Sequence, residues 1–272
     1  MAFKNKHKKT VSLIITTYNW KEALTVVLHS VNQQSHLPTE VIIADDGSRP
    51  DTKERIDQLA KIMTYPIIHV HQEDDGFQVS RIRNRAIAAA SSDYIISIDG
   101  DMMLHRHFIK DHLSIAKENT FVQGGRVIMN ESLTASILLQ PERIPNIHFF
   151  SKKIKNQKNA LRSHVLKQLF ANITTNNLKR IRGCNQAFWR DDLIRINGFN
   201  EAFQGWGRED SDICLRLNNN HVNRINLKFS GIAYHLFHRE AERSSLPTND
   251  EILERAIREK QTYCERGLAQ YL

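Results

Sequence analysis

A pair of aspartates closes the apolar run Tyr94-Ile95-Ile96-Ser97-Ile98-Asp99-Gly100-Asp101. The run has the composition of a buried strand, and side chains at i and i+2 point the same way along a strand. Asp99 and Asp101 therefore reach one side of the strand's C-terminal end. Two carboxylates so placed repel each other unless a cation compensates them. Mg²⁺ and Mn²⁺ take such oxygen ligands and commonly share them with substrate phosphates. The spacing points to a divalent-metal and diphosphate site.

Four further clusters could carry chemistry. Asp45-Asp46-Gly47-Ser48 follows the apolar Val41 to Ala44. A carboxylate there can accept from a base N–H or a ribose hydroxyl, while Gly47 permits a tight turn; an acidic turn with an Asx cap is the competing reading. Trp206-Gly207-Arg208-Glu209-Asp210-Ser211-Asp212 opens a helix expected over Ser211 to Leu217. Its acids suit the positive end of the helix dipole, or one of them is a general base. Gly205 and Gly207 flank Trp206 and suggest an exposed turn, where an indole face suits a sugar ring. His235 and His238 follow an expected strand, as ligands for a metal such as Mn²⁺ or as an ordinary polar strand end. Asp75-Gly76-Phe77 precedes Arg81, Arg83 and Asn84 at a helix start, which already favours anions. There an arginine can reach a phosphate, hold an aspartate in place, or lie on a solvated face.

These residues need elements to position them. Strands are expected at Val11 to Thr16, Val41 to Ala44, Pro66 to Val70 and Tyr94 to Ile98. Helices are expected at Glu22 to Gln33, Thr52 to Met63 and Val79 to Ala90, from apolar residues at helical spacing. This alternation predicts an α/β chain with a doubly wound, mostly parallel sheet. Ligands bind such sheets outside the C-terminal ends of the strands, where both acidic pairs fall. From Arg143 to Arg190 no acidic residue occurs. Within that stretch Leu161, Val165 and Leu169 form one stripe of an expected amphipathic basic helix. Asn249 to Leu272 reads as a final helix.

The chain has 272 residues, enough for a substantial core, and a net charge of +8. That excess suggests a polyanionic partner: nucleic acid, an acidic membrane surface or an anionic glycan. Three widely spaced cysteines, Cys184, Cys214 and Cys264, fit reduced thiols. No apolar run reaches the length of a membrane span, about 20 residues. Val11 to Ile15 is too short for a signal core. The expected location is the cytoplasm.

In order along the chain, Ile15-Thr16-Thr17-Tyr18-Asn19, Ala44-Asp45-Asp46-Gly47-Ser48, Asp75-Gly76-Phe77, Arg83-Asn84 and Ile98-Asp99-Gly100-Asp101 resemble a family-2 glycosyltransferase with the GT-A fold. Gly198-Phe199-Asn200, Trp206 to Asp210 and His235-Leu236-Phe237-His238 resemble the galactosyltransferase-like acceptor portion. The resemblance implies a nucleotide-sugar donor, most often a UDP-sugar, and Mn²⁺ or Mg²⁺ as cofactor. It implies that Asp46 contacts the base beside Thr16 and Tyr18, with Asp99 near the ribose or sugar; from their place at the helix start, Arg81 and Arg83 are expected among the nucleotide-sugar-binding residues. It implies a metal held by Asp101 and His238, with His235 where relatives place a weaker methionine ligand. Asp210 matches the catalytic base, Glu209 is its rival, and Trp206 and Gly207 fall in the acceptor site. Arg208 replaces a glycine common in the animal enzymes, and Ser211 replaces a further acid. The implied reaction is a single inverting displacement without a covalent intermediate.

The implied organisation is a basic tail (1–9), a single catalytic domain (10–240) and a C-terminal helical segment (241–272). The domain divides into a nucleotide-sugar half (10–130), a basic insert (131–182) and an acceptor half (183–240). The expected function is transfer to a glycan or glycolipid in bacterial lipopolysaccharide core or capsule synthesis, with no nucleic acid partner. For the insert two readings stand: peripheral contact with an anionic membrane or acceptor, or a helix packed on the domain with solvated charges. A non-catalytic nucleotide-sugar or polyanion-binding protein would not need Asp210 together with the D-x-D and the histidines. A nucleotidyltransferase would place a glycine-rich loop after the first strand, where Thr17-Tyr18-Asn19-Trp20 stands.

Overall fold

A computed structural model describes residues 9–239 and 242–272. Residues 1–8 of the expected basic tail, and the expected boundary at 240/241, lie outside the described residues. In chain order the elements are β1 (Val11–Thr17), α1 (Lys21–Asn32), β2 (Glu40–Asp45), α2 (Pro50–Ala60), β3 (Ile67–His71), α3 (Val79–Ala89), β4 (Tyr94–Asp99), β5 (Met102–Leu104), α4 (Phe108–Ile115), β6 (Thr120–Gln123), β7 (Val127–Met129), α5 (Glu131–Leu138), β8 (Ile154–Lys155), α6 (His164–Phe170), β9 (Thr174–Thr175), β10 (Asn185–Trp189), α7 (Arg190–Arg195), α8 (Glu209–Asn219), β11 (Asn223–Asn226), β12 (Ala233–His235) and α9 (Leu246–Arg258).

β1, β2 and β4 are buried on both faces, which is why they read as near-continuous apolar runs. Leu13 and Ile15 of β1 enter one core with Leu24, Val27, Leu28 and Val31 of α1. Ile14 faces the other way, toward Ile82, Ala86 and Ile87 of α3. The main sheet runs β3-β2-β1-β4-β10-β6-β11-β9. β3, β2, β1 and β4 are mutually parallel, as the alternation predicts. β10 enters antiparallel between β4 and β6, and β6 and β11 pair in parallel. A smaller sheet, β5-β12-β7-β8, carries its own core around Met103, Val127, Met129 and Tyr234. The chain passes from the main sheet to it through Gly100, where a side chain would collide with the Thr16 carbonyl.

Two expectations are corrected. The last helix does not run to Leu272: it ends at Arg258, and Lys260 takes a left-handed φ of 50°. The remaining chain returns to the core, where Leu268 is fully buried. Asn197 clamps it, donating to the Cys264 carbonyl at 2.7 Å and accepting from the Ala269 amide at 2.6 Å. The basic helix is also shorter, starting at His164, so Leu161 lies outside it. Val165 and Leu169 are 70% and 66% exposed, whereas Lys167 is buried. Charge rather than the apolar stripe anchors the segment. Arg162 donates twice to buried Asp111, at 3.0 and 2.8 Å, and the Lys167 ammonium donates to Ser114 Oγ at 2.9 Å. Among the described residues no helix is long and apolar enough to cross a membrane.

Candidate active site

The parallel registers line up the ends of four strands: His71 beside Asp45, Asp45 beside Thr17, and Thr16 beside Asp99. The two acidic motifs thus share one edge of the sheet. Just beyond it, β12 lies antiparallel to β5, and the Leu236 amide donates to the Asp101 carbonyl at 2.9 Å. That places His235 Nε2 3.2 Å and His238 Nε2 3.0 Å from Asp101 Oδ2. His238 is oriented through Nδ1, which lies 2.6 Å from the Arg239 carbonyl. Its hydrogen bond to Asp101 raises the His238 pKa, whereas burial lowers that of His235.

The other oxygen, Asp101 Oδ1, is buried and has no hydrogen-bond partner among the described residues. A buried anionic oxygen left unpaired is costly. One carboxylate and two imidazoles around such an orphan fit a divalent cation.

Arg83 is the hub of the neighbouring network. Its side chain is 4% exposed and donates to Asp99 Oδ1 at 3.1 Å and to Glu209 Oε1 at 3.2 Å. Of the three roles open to it in the sequence, the geometry selects the holding of acids. One guanidinium thereby ties the D-x-D strand end to the start of α8. Asn84, next in sequence, continues the tie: it donates to the Phe199 carbonyl and to Glu201 Oε1, both at 2.8 Å. Burial, then the neighbouring Asp210, pushes Glu209 up to about 7, against the pull of Arg83. Burial also raises Asp99, again against Arg83. Asp210 Oδ1 accepts from Ser211 Oγ at 3.2 Å. Gly183 leaves room here, since a Cβ on it would sit 3.2 Å from the Arg83 guanidinium and 3.6 Å from Asp210 Cβ. Asp212 is turned away into a fully buried ion pair with Arg216.

At the other end of the edge, Asp46 is buried and already engaged. Gln72 donates to its Oδ1 at 2.5 Å and the Gln78 amide to its Oδ2 at 2.9 Å. Burial pushes its pKa up to about 6. Thr16 donates to Asp99 Oδ1 at 3.4 Å, and the half-exposed Tyr18 hydroxyl to Asp74 Oδ2 at 3.0 Å. Gly47, at φ 91°, lets this turn pack on Asp74, whose Cα would lie 2.5 Å from an added Cβ. Arg81 is not brought to the Asp101 cluster. It lines a separate cleft of ≈ 500 Å³ with His71, Gln72, Glu73, Asp74, Asp75 and Arg85.

Trp206 is 38% exposed on the expected turn, with Arg243 stacked 4.7 Å from its ring. Gly205 and Gly207 take φ of 68° and 106°. Asn249 of α9 fixes the turn by donating to the carbonyls of Gln204 at 3.0 Å and Gly207 at 2.9 Å. The Gly205 amide donates to the Phe77 carbonyl at 3.0 Å, joining this turn to the Asp75-Gly76-Phe77 loop.

The model of glycosyl transferase family 2 matches residues 12–194, more than half of the 272. The chain belongs to that family. A second model, described as the N-terminal domain of galactosyltransferase, matches residues 167–239 of this family-2 glycosyltransferase. A chondroitin synthase of Escherichia coli is 28% identical over 226 residues, which are 76% of this chain and 32% of that protein. The glycosyltransferase thus spans about a third of that relative's length. Its fold resembles S. aureus TarS 1-349 in complex with UDP-GlcNAc, at a TM-score of 0.64 and 16% identity, covering 96% of this chain and 69% of that one. It also resembles the mannosyltransferase PcManGT of Pyrobaculum calidifontis in complex with GDP-Man and Mn²⁺, at 0.63 and 17%, covering 93% and 65%. The central sheet is therefore that of GT-A glycosyltransferases.

Four positions in the candidate site carry no advance signal in the sequence. Gln72 and Gln78 hold Asp46 only because β3 brings its C-terminal end beside β2. Gly183 sits at the end of the acid-free stretch, next to β10, a strand the periodicity does not announce. Arg126 follows β6, and its charge bears on Asp99, His235 and His238. An isolated arginine between two glycines and a valine looks like any surface cation.

Proposed function

We propose that this glycosyltransferase moves a sugar from a UDP-sugar onto a hydroxyl of an acidic polysaccharide, with inversion and with a divalent cation. The observation that carries the reading is the Arg83 bridge. It holds the strand end bearing Asp99 and Asp101 against the helix start bearing Glu209 and Asp210. A candidate base and a candidate cation site, each next in the chain to an acid that Arg83 holds or within two residues of it, suit a displacement at an anomeric carbon.

In this reading Asp46, Thr16 and Tyr18 seat the nucleoside, and Asp101, His235 and His238 would hold Mn²⁺ or Mg²⁺. The cation, when bound, offsets charge on the departing diphosphate. Asp210 takes the proton from the acceptor hydroxyl as its oxygen bonds to the anomeric carbon and the bond to diphosphate breaks. Glu209, paired to Arg83, keeps the helix start in place. Trp206 offers its exposed face to the acceptor ring. The acid-free stretch from Arg143 to Arg190 supports an anionic acceptor, as does the chondroitin synthase relative.

The test is release of free nucleotide by the purified chain from a panel of UDP- and GDP-sugars with Mn²⁺, with and without acidic oligosaccharides. UDP release stimulated by an acidic acceptor is expected. No release from any UDP-sugar, or full turnover in excess chelator, sinks the reading. Sedimentation with anionic and neutral vesicles is run in parallel. Binding to anionic vesicles alone would assign the insert to a membrane instead of the acceptor.

A further inference from the structure

Among the described residues, a second group combines one carboxylate with two imidazoles: Asp45, His69 and His71. It is separate from the Asp101 cluster and lies at the ends of β2 and β3. His69 and His71 are two apart on β3 and so project to one face. The parallel register sets Asp45 beside His71. Asp45 Oδ2 is 2.9 Å from His69 Nε2 and 3.4 Å from His71 Nδ1. Ligand bonds of about 2.0–2.2 Å put neighbouring ligand atoms about 3.0 Å apart at right angles and about 3.4 Å apart at tetrahedral angles. The Asp101 cluster, at 3.0 and 3.2 Å, falls in the same interval.

Three more features fit a built site. Asp45 is 1% exposed, and among the described residues its ion-pair partners are these two imidazoles. Its other oxygen, Oδ1, accepts from the Ser48 amide at 2.9 Å, which fixes the carboxylate plane as outer-shell contacts do in metal sites. His71 is 46% exposed at its side chain and lines the ≈ 500 Å³ cleft, so a path for entry is open.

We propose that Asp45, His69 and His71 form a second metal site, for a transition-metal dication of the zinc type. With no diphosphate oxygens proposed to join the ligands here, unlike at Asp101, two imidazole nitrogens and one carboxylate favour such borderline ions over Mg²⁺. The ion would pin the end of β3 to that of β2, one residue before Asp46 and one before Gln72. Asp46 in turn holds the chain from Gln72 to Gln78. Occupancy would therefore stiffen the loop beside the nucleoside without touching the reacting atoms. The proposal does not depend on the identity of the donor or acceptor.

Calorimetric titration of the chelator-stripped chain with Zn²⁺ near neutral pH tests it. Wild type is expected to bind two equivalents tightly. The double variant Asp101→Asn, His238→Ala should retain one. Adding His71→Ala to that background should weaken the remaining equivalent by more than about 100-fold, and His69→Gln should do the same. Co²⁺ in the double variant should show visible absorption that His71→Ala abolishes. The site is overturned if the double variant takes up no Zn²⁺, or if its uptake is indifferent to both histidine substitutions. In that case Asp45 is an acid held by two imidazole N–H donors and nothing more.

Discussion

The candidate catalytic edge and the basic stretch after Arg143 treat charge in opposite ways. At the edge, Arg83 is buried between Asp99 and Glu209, and Asp101 faces His235 and His238. There the guanidinium and the two imidazoles each face a carboxylate of the chain. In the insert, Lys152, Lys153 and Lys155 are exposed in a stretch without one acidic residue, and Val165 and Leu169 face outward. It is held where β8 pairs with β7 and where Arg162 and Lys167 reach back to α4. Internal pairing fixes geometry to fractions of an ångström, which bond-making chemistry needs. Surface cations without an acidic partner among the described residues leave neutralisation to whatever binds, which suits long anionic chains.

The comparison breaks most severely at the proposed metal cluster. Asp101→Asn should lower turnover on the order of 10³-fold, since a cation at a leaving diphosphate is worth several kcal/mol. Free UDP measured across a Mn²⁺ titration reads this, and unchanged turnover would refute the assignment. Arg83→Met should destabilise by roughly 3–5 kcal/mol, because it leaves Asp99 and Glu209 buried without their cation. Urea unfolding measures it; a loss under about 1 kcal/mol would mean that water compensates the acids.

Asp210→Asn should cost about 10²-fold in turnover with donor affinity nearly intact. If Glu209→Gln abolishes transfer while Asp210→Asn does not, the base is Glu209. Glu209 also sets a pH dependence. Its pKa is about 7 in the folded chain against 4.5 for the free group. Between those values the folded chain keeps a proton that the unfolded chain has lost, so this group's contribution to stability falls as pH rises. Wild type should therefore lose more Tm than Glu209→Gln between about pH 5 and about pH 8. Parallel Tm curves for the two proteins would contradict this.

The smallest effect belongs to the insert. Replacing Lys152, Lys153 and Lys155 together by Ala should raise KM for an acidic acceptor about 10-fold and flatten its salt dependence, with kcat unchanged. A fall in kcat with constant KM would show that the insert shapes the catalytic edge after all.

Much of this protein is legible along the sequence. The doubly wound order follows from runs such as Val11 to Thr17 and from helical spacing in α1 and α3, because burial on a sheet imposes its period on neighbouring residues. The same rule puts Asp99 and Asp101 on one side of a strand end before any coordinate is known. The tertiary structure alone decides what Arg83 does, since its partner Glu209 lies 126 positions away. It alone slots β10 beside β4, buries Lys167 in place of Val165 and Leu169, and returns Leu268 to the core. Periodicity is a property of adjacent residues, whereas an ion pair, an inserted strand or a docked terminus depends on which distant surfaces meet when the chain closes.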